Sequence, residues 1–266
     1  MTEQELRDRM QAAEAAARAA GRVLLDFQAR HGVRAKGHND FVTEADEAAQ
    51  AAATAVLLAA FPHDRILGEE QQVGHADADL FGPPTWVVDP LDGTTNFIHG
   101  LPIFVVSIGL VAAHLPQVGV IYDPCRAELF SAARGLGAYG QGQPLRVSST
   151  ARLSDALLAT GFPASMAGQD HLNQAWRYFA LRCRGLRRTG STAYNLAHVA
   201  AGHFDAFYAH HLHAWDVAAG LALVEAAGGR VTTRDSQPYR LGSADLLLVS
   251  NGIVHDELVQ AFRELP

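Results

Sequence analysis

Residues 89–95, DPLDGTT, carry oxygen ligands that suit a divalent cation. The apolar run WVV precedes Asp89, and we expect a strand that ends there, because Pro90 has no N–H for a further ladder bond. Asp92 follows three residues later, so a tight turn would aim both carboxylates and the Leu91 carbonyl at one point. Hard cations such as Mg²⁺ prefer these ligands. The spacing therefore predicts a metal site at the end of this strand.

The last three residues of the same segment favour an anion. Gly93, Thr94 and Thr95 are expected to begin a short helix, whose free N–H groups and positive dipole end suit a phosphate. A strand, a turn and a helix cap without any ligand would use similar residues, since Asp and Gly are common in turns. The full seven-residue pattern after an apolar strand is much rarer than Asp-x-x-Asp-Gly alone, and it indicates metal-assisted phosphate chemistry.

Acidic residues elsewhere in the chain add to this pattern. Glu69 and Glu70 end a strand-like run, Asp40 stands just before a predicted helix, and Asp216 begins another behind Trp215. Each acid alone would be read as a surface charge or a helix cap. Together with residues 89–95 they predict a carboxylate cluster assembled from distant parts of the sequence.

Bulk composition restricts the class of protein. The 266 residues suffice for one large α/β unit or two packed halves, and the net charge of −7 gives no support to a general nucleic-acid or membrane-surface role. Two cysteines without a CxxC motif favour a reducing compartment. A polar N-terminus and the lack of an 18-residue apolar run predict a soluble, cytoplasmic protein with no membrane partner.

Two helices and a sheet are predicted for the first half. Apolar residues at spacings of three and four from Leu6 to Phe27 indicate a long first helix. A second helix is expected from Thr43, with Asp46 completing a capping box. Strands of a largely antiparallel sheet are predicted at 66–68, 86–89, 104–111, 117–124 and 128–133, followed by a glycine-rich hairpin.

The second half alternates between strands and helices, which suggests a second, mixed sheet with helices packed on it. Strands are expected at 157–160, 204–209 and 246–250, and helices at 170–182, 191–202, 215–229 and the C-terminus. We place a soft boundary between 1–148, which holds most of the acids, and 149–266, which holds Asp216. The two halves are expected to form one compact catalytic unit.

The segments GEE, WVVDPLDGTTNF and AWDVAAG occur in this order, and with them the chain resembles the inositol monophosphatase family, within the lithium-sensitive, magnesium-dependent phosphatases. The resemblance runs from about Asp40 to Gly220 and implies a layered α-β-α-β-α sandwich of the α+β class. It implies hydrolysis of a small phosphomonoester, a phosphorylated polyol or sugar with inositol 1-phosphate first, by activated water without a phospho-enzyme. Two to three Mg²⁺ ions, lithium inhibition and a homodimer are further expectations.

Roles for individual residues also follow from the resemblance. It implies five metal ligands, with Asp89 shared between two ions: Glu69, Asp89, the Leu91 carbonyl, Asp92 and Asp216. It implies catalytic roles for three residues that orient the attacking water or help a weaker third ion: Glu69, Thr94 and Asp40. The N–H groups of Gly93, Thr94 and Thr95 match the phosphate cradle. Gly190, Ser191 and Thr192 match a segment that contacts substrate hydroxyls, although Ser191 would equally serve as a helix N-cap.

The chain departs from the family pattern at a position expected to contact the alcohol part of the substrate. Family members that act on inositol usually carry a glutamate seven residues before the last metal aspartate, where this chain has Ala209. The nearby His210, His211 and His213 could substitute as hydrogen-bonding groups or be structural. The alternatives for the substrate therefore stay open: fructose 1,6-bisphosphate, 3′-phosphoadenosine 5′-phosphate or histidinol phosphate.

An arginine run, Arg182–Arg188, has no assigned role in this pattern. A solvated or dimer-facing edge is the simplest interpretation. A grip on a second anionic group of the substrate, or a non-catalytic role with RNA in transcription, is the alternative. Lys36, close to Asp40, could also meet an anion.

Overall fold

The computed structural model describes residues 1–31, 38–71, 82–162, 170–243 and 245–265, without the side chains of residues 30, 31, 38–43 and 71. Seven helices lie in these ranges: α1 Glu3–His31, α2 His38–Ala60, α3 Thr94–Ile98, α4 Asp170–Ala180, α5 Thr192–Ala200, α6 Ala214–Ala226 and α7 His255–Glu264.

Two sheets are present. The first contains β1 Arg65–Gly68, β2 Thr85–Asp92, β3 Val105–Ala112, β4 Leu115–Asp123, β5 Glu128–Ala133, β6 Gly137–Gly140 and β7 Gln143–Pro144, in chain order. The second, in the order β11-β12-β10-β8-β9, contains β8 Leu157–Thr160, β9 Gly185–Arg187, β10 Ala206–Ala209, β11 Arg230–Thr232 and β12 Leu247–Ser250. Only β1 and β2 are parallel in the first sheet, whereas the second is mixed.

The layers follow from the buried clusters. One cluster joins α1 and α2 to the outer face of the first sheet. A second cluster places α5 and α6 between the two sheets, and a third packs α4 and α7 on the far face of the second sheet. The order is therefore α-β-α-β-α, as the family resemblance implied, because each sheet has apolar side chains on both faces and must be covered twice.

Close packing brings the start of α6 to the first sheet. Gly109 and Gly119 are paired across β3 and β4. A Cβ on Gly109 would lie 2.8 Å from the Cβ of Ala218, and one on Gly119 would lie 2.2 Å from the carbonyl oxygen of Ala219. Glycine at both positions lets the helix backbone approach the strands, so the acid at its N-terminal end reaches the end of β2.

Several bounds shift by a few residues, and four elements differ more clearly from the sequence prediction. The second helix begins at His38, so Thr43 is an interior residue and not the cap. The short strands β9 and β11 were not predicted as such, because three residues give too little alternation to detect. The prediction that β2 ends at Asp89 was also wrong, because the strand continues through a bulge to Asp92.

Candidate active site

A bulge, and not a simple strand end, positions the first two acids. β2 pairs with β3 up to Asp89 and again at Asp92, with a register shift between them. Pro90 interrupts the ladder because it lacks an N–H, but pairing resumes beyond it. The N–H of Leu91 donates to Oδ1 of Asp89 at 3.0 Å. Asp89 is almost fully buried, and burial, followed by the charges of neighbouring acids, raises its pKa well above the ordinary value.

The turn after Asp92 is shaped by one glycine. Gly93 has φ of 112°, and a Cβ there would lie 2.8 Å from the carbonyl oxygen of Ile103, so a side chain is excluded on both counts. The short helix α3 follows, as predicted. Oγ1 of Thr94 donates to the carbonyl of Leu91 at 3.1 Å, which leaves the lone pairs of the hydroxyl oxygen available as acceptors.

Asp92 connects the two halves of the chain. Its Oδ2 accepts hydrogen bonds from Oγ of Ser191 at 2.8 Å and from the N–H of Ala193. Burial raises the pKa of Asp92 to about 7, and the charge of Asp216 adds to the rise, whereas the hydrogen bonds oppose it.

Asp216 lies in the first turn of α6. Its Oδ2 accepts from the N–H of His213 at 2.7 Å, which satisfies one free donor at the helix start. Burial is the main cause that raises the pKa of Asp216 to about 7, and the charge of Glu69 acts in the same direction.

Glu69 and Glu70 open a short 3₁₀ helix, Glu69–Gln71, directly after β1. Burial raises the pKa of Glu69 to about 7, a hydrogen bond with Asp89 opposes the rise, and the charges of Glu70 and Asp92 add to it. The N–H of Glu70 donates to Oε1 of Gln50 at 3.1 Å, so α2 fixes this turn.

Asp46 is a further buried acid near this cluster, and sequence reasoning read it only as part of a helix cap. It is 5% exposed on α2, one turn before Gln50. Burial raises its pKa to about 8, with the charges of Glu70 and Glu69 as further causes. The signal in the sequence was an acid on the alanine-rich face of α2, which is the face that must be buried.

The structure thus brings four of the predicted metal ligands into one electrostatic cluster, with the Leu91 backbone between two of them. Their donor atoms are carboxylate and carbonyl oxygens, which fit a hard divalent cation, and a cation would offset the mutual repulsion that raises their pKa values. Within the described ranges, no group of three or more Asp, Glu, His or Cys side chains has an arrangement that could hold a metal ion in the side-chain positions of this structure. The predicted roles of Lys36 and of the Asp40 side chain lie outside the described part.

A sequence model of the Inositol monophosphatase family matches residues 5–266. The chain belongs to this family. It is 41% identical over 237 residues to an inositol-1-monophosphatase of Synechocystis, covering 88% of this chain and 81% of that protein. It is 45% identical over 224 residues to the Nus factor SuhB of Salmonella typhimurium, with 82% of each chain covered. The solved structure of inositol monophosphatase from Anabaena superposes with a TM-score of 0.85 at 38% identity, covering 99% and 98% of the two chains.

Family membership makes the chain a phosphoric monoester hydrolase of a metal-dependent class. The fold agrees with that of the solved relative, so the resemblance inferred from the signature segments is confirmed. In the described residues, no helix has the length and apolar character that crossing a membrane requires.

The segment Gly190–Thr192, which the family resemblance matched to substrate hydroxyls, uses one of its side chains in a helix cap. Ser191 is the N-cap of α5, and its Oγ accepts from the N–H of Tyr194 at 3.2 Å. Nδ2 of Asn96 donates to the carbonyls of Ile103 at 2.7 Å and Thr189 at 2.9 Å, so α3 is tied to the residue before Gly190. Backbone groups and Thr192 are what this segment can offer to a substrate.

Ala209 lies at the end of β10 and is buried. A Cβ built on Gly161 would lie 3.5 Å from the Ala209 Cβ and 3.7 Å from Oγ1 of Thr192, so these three residues meet at one place. No carboxylate stands at position 209, where inositol-specific family members usually carry one.

The three histidines His210, His211 and His213 differ in their ring neighbours. The His210 ring contacts the ring of His171 at 5.3 Å between centroids, and His213 stacks on Trp215 at 4.5 Å. His211 has φ of 55° and is exposed. The rings of His210 and His211 lie 6.0 Å apart between centroids, whereas His213 has a separate ring neighbour in Trp215.

The arginine run forms an exposed edge. The strand in it is only β9, Gly185–Arg187, at the end of the second sheet. The guanidinium of Arg182 lies over the Tyr178 ring at 4.1 Å, and Arg184 is 3.9 Å from Asp155. The first residues of the run precede this strand in a turn, so the arginines do not alternate along a single strand.

Proposed function

We propose that the chain hydrolyses a small phosphomonoester with Mg²⁺, with inositol 1-phosphate as the first candidate substrate. The observation that carries the proposal is the convergence of Glu69, Asp89, Asp92 and Asp216 from three distant parts of the chain. Burial and mutual repulsion raise the pKa values of all four. The four buried carboxylates resist ionisation unless a cation binds among them. If they bound no ligand, burying them together would only destabilise the folded chain.

The ligands proposed for two to three Mg²⁺ ions are these four carboxylates and the carbonyl of Leu91. When bound, Mg²⁺ would supply Lewis acidity and neutralise the negative charge that develops on the phosphoryl group and the departing oxygen. Asp89, the most buried acid of the four, would be shared between ions.

The protein groups proposed to handle water are Glu69 and Thr94. The Thr94 hydroxyl donates to the carbonyl of Leu91, so its oxygen is oriented to accept a hydrogen bond from water. A carboxylate at Glu69 can accept the second hydrogen of the same water and later its proton. The N–H groups of Gly93, Thr94 and Thr95 are proposed to hold the phosphate, and neither cysteine belongs to this site.

A phosphate-release screen tests the proposal. Inositol 1-phosphate, fructose 1,6-bisphosphate, 3′-phosphoadenosine 5′-phosphate and histidinol phosphate would be compared with Mg²⁺, with EDTA and with added lithium. We expect phosphate release with Mg²⁺, slower release when lithium is added, and no release with EDTA. Release that persists in EDTA would overturn the metal mechanism. The homodimer, the cytoplasmic location and the division at residue 148 stay predictions.

A second candidate is a non-catalytic binding role in transcription, in which the arginine run would contact RNA. Relatives at 45% identity carry the name Nus factor SuhB, and the arginine run lies on an exposed sheet edge in a chain of net charge −7. If an Asp89→Asn chain without phosphatase activity still rescued a deletion of the gene, the binding role would be favoured.

A further inference from the structure

The side-chain amide of Asn96 joins two loops that lie far apart in the sequence. Asn96 is in α3, directly after the segment 93–95 that is proposed to hold the phosphate, and it is only 6% exposed. Its Nδ2 donates to the carbonyls of Ile103 at 2.7 Å and Thr189 at 2.9 Å. Because both partners are acceptors, the amide nitrogen faces them, and both of its N–H groups are used inside the protein.

Each of these loops also lies against a turn of the candidate site. A Cβ on Gly93 would lie 2.8 Å from the carbonyl oxygen of Ile103, so this carbonyl supports the turn that begins the phosphate segment. Thr189 precedes Gly190, where φ is 92° and a Cβ would lie 2.9 Å from Nδ2 of Asn96. The Asn96 amide therefore packs on the backbone of Gly190 as well as bonding the residue before it, and glycine permits both close approaches.

Asp92 makes a second connection between the phosphate segment 93–95 and the segment 190–192. Its Oδ2 accepts a hydrogen bond from Oγ of Ser191 at 2.8 Å. In the sequence, Asp92 and Asn96 stand at the two ends of the phosphate segment. The two segments are therefore held together on both sides of the proposed phosphate position, once through a charged acceptor and once through a neutral donor.

The hydroxyl of Thr192 is the side-chain group that the segment 190–192 leaves for a ligand. Thr192 is half-buried, and its Oγ1 has no hydrogen bond to any residue that the structure describes. A Cβ on Gly161 would lie 3.7 Å from this Oγ1 and 3.5 Å from the Cβ of Ala209. A threonine hydroxyl can both donate and accept, which suits a hydroxyl group of an alcohol. Its distance from the phosphate depends on the connections made by Asp92 and Asn96.

A neutral donor is what both contacts of Asn96 require. Two carbonyl oxygens face the amide, so a carboxylate in its place would repel them and leave them without donors. A carboxylate would also add a negative charge beside the phosphate segment, where the buried acids of the site already repel one another. An amide satisfies both carbonyls and leaves the charge of the site unchanged.

We propose that Asn96 is a positioning residue for recognition of the alcohol: it sets the distance between a phosphate held at 93–95 and the hydroxyl of Thr192. The proposal rests on the proposed phosphatase function and adds a residue to it. Asn96 contacts neither the phosphate nor the alcohol, and it acts through the two carbonyls that it holds.

Two matched pairs of phosphomonoesters test this role. Inositol 1-phosphate and cyclohexyl phosphate differ only in the hydroxyl groups of the ring, and glycerol 1-phosphate and propyl phosphate differ only in those of the chain. The ratio of kcat/KM within each pair would be measured with Mg²⁺. For the wild-type chain we expect the hydroxylated member of at least one pair to be preferred by about tenfold or more. Inhibition by inorganic phosphate would also be measured, because this ligand has no alcohol part.

Three variants weaken the connection in different ways. Asn96→Ala removes both donors without adding a charge, and it should lower the preference by about threefold to tenfold, the effect of one or two lost hydrogen bonds. Asn96→Asp has the same shape and should lower the preference at least as far. Gly190→Ala keeps the amide but would displace it from Thr189, so it should also lower the preference.

Inhibition by inorganic phosphate should change little in Asn96→Ala. The turn that begins the phosphate segment is shaped by Gly93 and by the hydrogen bond from Thr94 to Leu91, which the variant leaves in place. A general loss of structure would instead weaken phosphate inhibition and lower kcat/KM for both members of a pair. The ratio therefore separates positioning from stability.

Asn251→Ala is the matched control. Asn251 is 4% exposed, and its Nδ2 also donates two hydrogen bonds, to Oγ of Ser148 at 3.0 Å and to the carbonyl of Thr150 at 2.9 Å. Its N–H donates to the carbonyl of Asp205, so it lies at the opposite end of β10 from Ala209. This variant should unfold at a lower urea concentration and keep the wild-type ratio.

A ratio that both Asn96 variants leave unchanged would overturn the proposal, as would equal kcat/KM within both pairs for the wild-type chain. Weaker phosphate inhibition with an unchanged ratio would assign Asn96 to the phosphate segment itself and would equally overturn it. If neither Asn96 variant yields folded protein, Gly190→Ala decides, and an unchanged ratio in it has the same meaning. Failure of the proposed function gives a different result, namely no Mg²⁺-dependent phosphate release from any of the four compounds.

Discussion

Ser191 donates a hydrogen bond from Oγ to Oδ2 of Asp92 at 2.8 Å, across 99 residues of sequence. The same Oγ accepts from the N–H of Tyr194 and so caps α5. One hydroxyl thus fixes a carboxylate of the first half to the start of a helix of the second half. The position of Asp92 depends on the packing of both halves.

We predict that Ser191→Ala lowers the free energy of unfolding by about 1–2 kcal/mol, because a helix cap and a hydrogen bond to a carboxylate are both lost. It should also raise the Mg²⁺ concentration needed for half-maximal phosphate release, since Asp92 is held less firmly. Urea denaturation and a Mg²⁺ titration check both effects. Ser154→Ala, at an exposed position, is the control, and an unchanged Mg²⁺ requirement in Ser191→Ala would contradict the positioning role.

Asp89→Asn should change activity and stability in opposite directions. The loss of a shared metal ligand should reduce kcat at least about a thousandfold, on the scale of several kcal/mol for Lewis-acid effects. In EDTA the same variant should unfold at a higher urea concentration, because burial and neighbouring acids disfavour the charge at this position.

The exposed Asp256→Asn serves as the control for Asp89→Asn, since it also removes one carboxylate. Near-wild-type turnover of Asp89→Asn in Mg²⁺ would remove the basis of the metal assignment. A less stable variant in EDTA would show that the acid has a structural partner that outweighs the repulsion.

The carboxylate cluster should make stability depend on pH in the absence of metal. The pKa values of Glu69, Asp92 and Asp216 are about 7 in the folded chain, and those of unfolded Asp and Glu are about 4. The folded state therefore holds more protons between these values, and the free energy of unfolding should fall as pH rises from about 4 to 7.

Thermal unfolding in EDTA and in saturating Mg²⁺ across this pH range tests that dependence. We expect the midpoint to fall with rising pH in EDTA, and the stabilisation by Mg²⁺ to grow over the same range, because its ligands must be deprotonated. Parallel curves in the two conditions would contradict a metal site made of these acids.

Much of the fold could be predicted from periodicity and from single residues. The strands at 128–133 and 157–160 have the predicted bounds, since apolar β-forming residues are flanked by turns there. The bulge that carries β2 from Asp89 to Asp92 could not be predicted, because resumption of the ladder after Pro90 depends on the register with β3. Local sequence does not contain that register.

The acids of the candidate site could be predicted where a signature segment contains them. Residues brought there only by tertiary packing could not. Glu69, Asp89, Asp92 and Asp216 were identified from their segments, and the structure brings them together. Asp46 was not, because its role depends on α2 lying against β1. There a Cβ on Gly68 would lie 2.2 Å from Oε1 of Gln50, which shows how closely the two elements approach. The hydrogen bond between Ser191 and Asp92 is likewise a product of tertiary packing.

Asp46→Asn tests the acid that the sequence did not reveal. Asp46 is buried beside Glu69 and Glu70, and their charges help to raise its pKa to about 8. We expect the amide to stabilise the chain in EDTA, because an unfavourable charge is removed. We also expect kcat in Mg²⁺ to fall by about tenfold to a hundredfold above pH 8, where Asp46 is ionised and its negative field acts on Glu69. Asp26→Asn on the exposed side of α1 is the control. If the Asp46 variant gained stability but kept full kcat and an unchanged Mg²⁺ requirement, Asp46 would be a buried acid without a part in the site.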